Sequence, residues 1–147
     1  MEQSADRIRV VLRWIQILDS KEGPFDDKGE FRFGSKVTTE NGGGQVQETR
    51  FPEEGHWSIS DHPAWNREFV EKVLFDGAVD DHLVVELFGE ELDRFSANDQ
   101  LDRYQREFRG PVSDWLGLYG PGDEETQVSD DPESMSDWRV CYVIERA

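Results

Sequence analysis

The stretch Asp61–Asp102, DHPAWNREFVEKVLFDGAVDDHLVVELFGEELDRFSANDQLD, decides the fold. It sets a Pro-x-Trp-Asn segment, an alternating apolar run from His82 to Phe88, and a loop of spaced acids in that order. Leu83, Val85 and Leu87 recur at every second residue, the period of a strand with one buried face. The acids that follow are Glu91-x-Asp93-x-x-x-x-x-Asp99. Three carboxylates at the end of a strand suit a hard, oxygen-ligated cation.

The segment before that strand reads two ways. From Pro63 to Phe75 the apolar residues Trp65, Phe69, Val70, Val73 and Leu74 fall at i, i+4, i+5, i+8 and i+9, which is helical spacing. Asp61 is placed to cap such a helix, with Pro63 in its first turn. As a strand, the same segment puts Trp65, Phe69, Val73 and Phe75 on one face, with Glu71 as the exception.

Strand signals dominate the rest of the chain. Ile8, Val10, Leu12 and Trp14 alternate, and the phase then changes to Ile15 and Ile17, which implies a bulge near Trp14. Glu30–Val37, Val46–Phe51, Trp57–Ser60 and Trp138–Ile144 are further strand candidates, and Asn41-Gly42-Gly43-Gly44 signals a hairpin loop. Gly110 to Asp137 is irregular and acidic, with an apolar knot at Trp115, Leu116, Leu118 and Tyr119 that is expected to pack back on the domain. Short strands between turn signals predict an all-β, antiparallel β-sandwich, a single domain over residues 1–147 with one long acidic loop before the last strand.

Charge bounds the partners. The chain has 33 acids against 16 bases, a net −17, and twelve of the bases are arginine. Polyanions are repelled at that balance, so nucleic acid is excluded as an expected partner. No basic patch is evident that would hold an anionic membrane directly. Such a surface arises either from cation sites or from a carboxylate shell of the kind that keeps proteins soluble at high salt. The lone Cys141 sits in a strand pattern and reads as a buried, inert thiol. The start, MEQSADRIRV, lacks a basic segment followed by an apolar run, so the expected location is cytoplasmic.

The order of elements resembles the C2 domain, the calcium-dependent β-sandwich. In that family a strand beginning Asn-Pro-x-Trp-Asn-Glu-x-Phe-x-Phe precedes Leu-x-(x)-x-Val-x-Asp-x-Asp and a further Asp. The matching residues are His62-Pro63-Ala64-Trp65-Asn66-Arg67-Glu68-Phe69, then Leu83–Leu87, then Glu91, Asp93 and Asp99. The resemblance implies a strand over Pro63–Phe75. It also implies a Ca2+ site of two loops, with Asp19, Asp26 and Asp27 from the first and Glu91, Asp93 and Asp99 from the second. The match departs at Glu91, where the family has Asp, at His62, and at Asp102, where Gly is usual. The first loop lacks Ser-Asp-Pro-Tyr, and the Lys-rich strand that binds inositol lipids is missing.

Enzyme signatures are weak. His56, His62 and His82 carry no zinc-ligand spacing, His82 reads as a turn residue, and no Gly-x-Ser-x-Gly is present. The leading expectation is a noncatalytic calcium-binding module that docks to a protein partner or, through the ion, to a membrane. The alternative is a metal-free acidic sandwich used for self-association, with the final strand or the Trp115–Tyr119 knot as its contact.

Overall fold

The computed structural model describes residues 6–18, 28–39, 45–60, 62, 66–92, 98–101, 103–119 and 138–147. The strands are β1 (Asp6–Ile17), β2 (Lys28–Thr39), β3 (Gln45–Phe51), β4 (Trp57–Ser60) and β5 (Arg67–Val79), then β6 (His82–Glu91), β7 (Asp99–Gln100), β8 (Tyr104–Arg109), β9 (Gly117–Tyr119) and β10 (Trp138–Arg146). One antiparallel sheet has the order β5-β1-β10-β9; the other runs β3-β2-β6-β7. In the second sheet β4 also pairs with β2, and β8 with β6. The architecture is the antiparallel β-sandwich that the C2 resemblance implies.

The core follows from alternation. Ile8, Val10 and Leu12 of β1 and Val140, Tyr142 and Ile144 of β10 are buried, as are Phe31, Phe33 and Val37 of β2 and Leu83, Val85 and Leu87 of β6. Full burial of each such side chain contributes about 1.5–3 kcal/mol. Aromatic rings gather in two groups: Phe33 stacks on Phe31, Phe51 and Trp138, while Tyr119 stacks on Tyr142 and meets Phe108 edge-on. The Tyr104 and Tyr142 hydroxyls, one from each sheet, lie 2.5 Å apart in the interior. Burial is the main reason the Tyr142 pKa stands well above its ordinary value.

The β1 bulge lies where the phase change puts it. Both neighbours of β1 shift register between Leu12 and Trp14: against β10 Arg13 is the extra residue, whereas against β5 the extra residue belongs to β5, where Val70 and Glu71 face Arg13. Opposite it, β5 carries Glu71 at φ 52, and Arg13 Nε donates to Glu71 Oε1 at 2.6 Å. Asn41–Gly44 lies outside the described residues, but Thr39 pairs with Gln45 on either side, as a hairpin requires.

Several expectations are corrected. Residues 67–75 form a strand, so helical periodicity misleads there. Phe69 and Val73 face outward, Val70 and Leu74 face inward, and two interleaved sets of period four imitate a helix. Phe75 does not share a face with Phe69 and Val73, because the register shifts between Val73 and Phe75 and turns Phe75 into the core. Trp65 lies outside the described residues. His82 is no turn residue: it begins β6, is 4% exposed, and brings Nε2 to 3.3 Å from Glu107 Oε2. The final strand is covered in part: β10 has β1 along one side, and on the other β9 pairs with Tyr142–Ile144. Within the apolar knot, Trp115 and Tyr119 are buried as expected and Leu118 is not.

Candidate functional site

Antiparallel pairing fixes what stands at the loop end of the sandwich. β2 and β6 run opposite ways, so Phe31 at the start of β2 pairs with Glu91 at the end of β6. Leu92 N donates to Glu30 O at 2.8 Å and ties the two ends together. The end of β1 is held by Asn66, whose Nδ2 donates to Ile17 O at 3.0 Å while its own carbonyl accepts from Ile17 N at 2.8 Å. The Asn of the Trp-Asn motif is thus a structural staple. The roots of segments 19–27 and 93–97 consequently meet at one end.

Glu91 and Asp99 are the two expected ligands that lie among the described residues. They pair directly across β6 and β7. Glu91 shares the inward phase of Leu83, Val85 and Leu87 and is 2% exposed, whereas Asp99 is exposed. Their carboxylate oxygens are donors of the hard type that calcium takes. Asp19, Asp26, Asp27 and Asp93 lie outside the described residues. Among the described residues no group of three or more His, Cys, Asp or Glu could hold a metal ion.

A second surface was not anticipated. The outer face of the β3-β2-β6-β7 sheet holds a concavity of about 630 Å³ lined by Arg32, Lys36, Arg50, Arg103, Phe88 and Glu90, among others. Phe88 lies over Gly34, where a Cβ would come within 2.5 Å of its ring, and the Arg103 guanidinium stands 4.7 Å above that ring. Arg32 Nε donates to Glu90 Oε1 at 2.9 Å, and this contact is the main cause of the lowered Glu90 pKa. Four cations therefore gather beside Glu48 and Glu90, and two of them are already paired, Arg32 with Glu90 and Arg103 with Glu86 at 3.1 Å. Arg32 and Lys36 share a face of β2 by their even spacing, a legible signal; Arg50 and Arg103 join them only through pairing.

Cys141 is buried, and desolvation pushes its thiol up to about 11, which fits the inert reading. Glu107 is held below the usual carboxylate range, first by Arg109 and then by His82. No helix among the described residues is long and apolar enough to cross a membrane.

No family model matches the chain, and no curated protein matches it either. The structure is similar to a C2 domain of plant extended synaptotagmin 1, the one designated A, with a TM-score of 0.44 and 9% sequence identity over 97% of this chain and 95% of that one.

Proposed function

We propose that the chain is a noncatalytic C2-like module that binds Ca2+ at its loop end and docks there to a protein partner or, through the ion, to a membrane. The observation that supports this reading is the meeting of the two acidic loop roots, with Glu91 and Asp99 on adjacent strands. Asp19, Asp26, Asp27, Glu91, Asp93 and Asp99 are the ligands it assigns. In the metal-free protein these acids repel one another, and the ion removes that repulsion. Calcium titration followed by thermal melting tests the reading. A ligand at 100 times its Kd adds about 2.7 kcal/mol. Asp93→Asn is expected to weaken calcium affinity markedly, and Asp130→Asn, an equal charge change elsewhere, to leave it intact. Equal affinities in the two variants would count against a site. Sedimentation with anionic vesicles in excess chelator should leave the protein in solution; binding there would point to the basic concavity instead.

A second reading, self-association without metal, is favoured by a separate observation. Phe69 is 71% exposed and Val73 45%, both on the outer face of one sheet.

A further inference from the structure

The outer face of the β5-β1-β10-β9 sheet is ordered in cross-strand rows. Residues in register share a face, so the pairing can be read straight across the strands. The first row is Asp76, Arg9 and Glu145. The second is Val73, Val11, Val143 and Leu118, apolar across all four strands. The third, past the bulge, is Phe69, Trp14 and Cys141. The fourth is Arg67, Gln16 and Arg139. Two apolar rows thus lie between two polar ones, parted on β1 and β5 by the exposed Arg13–Glu71 ion pair. Phe69, Val73 and Leu118 are exposed, and Val11 and Val143 are half-buried.

From this arrangement we infer that the face binds a second copy of the chain, sheet against sheet, about a two-fold axis that runs across the strands between the second and third rows. Such an axis turns each strand onto its own counterpart with direction reversed. The second row then meets the partner's third, so that Val73 meets Phe69, the exposed member of that row, while Trp14 and Cys141 lie buried beneath the face. The first row meets the fourth: Asp76 faces Arg67 on β5, Arg9 faces Gln16 on β1, and Glu145 faces Arg139 on β10. Every acid in the first row is met by an arginine in the fourth, strand by strand. Face-to-face sheets pack about 10 Å apart with strand directions within about 30°, which leaves the rows in register near the axis.

The charges on the face support this occupant. Arg7, Arg9, Arg13, Arg67 and Arg139 oppose Glu71, Asp76 and Glu145 here, the reverse of the balance of the whole chain. Arg13 and Glu71 are already tightly bonded, but the pairs of the first row are loose: Arg7 and Arg9 stand 3.7 and 3.5 Å from Asp76, and Arg9 stands 3.7 Å from Glu145. Arg67 lies 4.1 Å over the Trp14 ring, and Arg139 Nε is buried with no hydrogen-bond partner among the described residues. These two arginines are the ones that the axis sets opposite the acids of the first row. This inference deepens the self-association reading and does not depend on calcium.

Sedimentation equilibrium of the full chain in chelator, over a concentration series, is the test. The unsubstituted chain should dimerise, and Phe69→Glu should raise the dimer Kd by at least about thirtyfold, the size of a hot-spot loss. Val46→Glu, the same kind of change at a residue 52% exposed on the other sheet, should leave the Kd unchanged. Arg67→Asp and Asp76→Arg should each weaken the dimer by about tenfold, and the double variant should return it to within about threefold. Circular dichroism monitors the fold, and Phe69→Ser, which removes the ring without adding charge, serves if the glutamate variant does not fold. A dimer that survives both Phe69 variants, or that Val46→Glu weakens equally, overturns this face and leaves self-association standing. A chain that stays monomeric at millimolar concentration overturns both.

Discussion

The two sheets of this sandwich turn different outer surfaces to solvent. On the β5-β1-β10-β9 sheet, Phe69, Val73, Val11, Val143 and Leu118 are apolar positions, with Arg13 and Glu71 paired among them and further arginines at the margins. On the β3-β2-β6-β7 sheet, the outer face is concave and rich in charge of both signs, and Phe88 lies there under Arg103 and against Gly34. The inner faces of both sheets obey the same alternation of apolar and polar residues. The difference teaches that burial inside a sandwich constrains half of each strand strongly, and that the other half is free to record what the protein touches.

The sharpest way to break the comparison is to truncate one ring from each face of β5. Phe75→Ala empties a core position and should cost about 3–5 kcal/mol in urea unfolding. Phe69→Ala, measured at dilution where the monomer prevails, should stay within about 0.5 kcal/mol. Similar losses would mean that Phe69 is not a solvent-facing residue of the monomer. A smaller contrast separates two glycines. A Cβ on Gly89 would come within 2.5 Å of Phe33, which is wedged among Phe31, Phe51 and Trp138, so Gly89→Ala should cost about 1–3 kcal/mol. Gly34→Ala meets Phe88 at the same distance, but that ring is on the outer face and can swing aside, so its cost should be below about 1 kcal/mol.

The smallest effect concerns Cys141. Its pKa, raised to about 11, means that the folded chain keeps a proton that the unfolded chain releases near pH 9. The resulting stability is whole below pH 9 and declines as pH rises toward 11, by less than about 1 kcal/mol at pH 9.5. Cys141→Ala should flatten this part of the alkaline decline and leave the part due to Tyr142. Native-state alkylation at pH 8 should be slow in the unsubstituted chain; rapid labelling would place the thiol at an accessible surface.

Most of the fold was legible because inward residues alternate. β1, with its bulge, β2, β3, β4, β6 and β10 can all be read from periodicity and turn residues alone. β5 could not be read locally, since both of its faces are apolar and its register shifts twice; only the C2 resemblance indicated a strand. β8, Tyr104–Arg109, gave no signal of comparable strength, its buried positions being Tyr104 and Phe108 four residues apart. The candidate cation site was legible only as acids at spacings, and of its six residues Glu91 and Asp99 are described. Their unlike burial comes from strand phase and strand pairing, which no spacing of acids encodes. The basic concavity and the paired rows depend on register between strands far apart in sequence.

The interior position of β10 has a kinetic consequence. β1 receives its second partner only when Ile8 meets Arg146 and Ile17 meets Trp138, and β9 has no other neighbour in its sheet among the described residues. A nascent or truncated chain that stops before Trp138 therefore carries one unpaired flank on β1 and an orphaned β9. Closure across so much intervening chain is slow, on the order of milliseconds to seconds for β-sandwiches. Until then the flank is a template for whatever strand arrives first, and the chain is most prone to aggregate in the moments before its last segment docks.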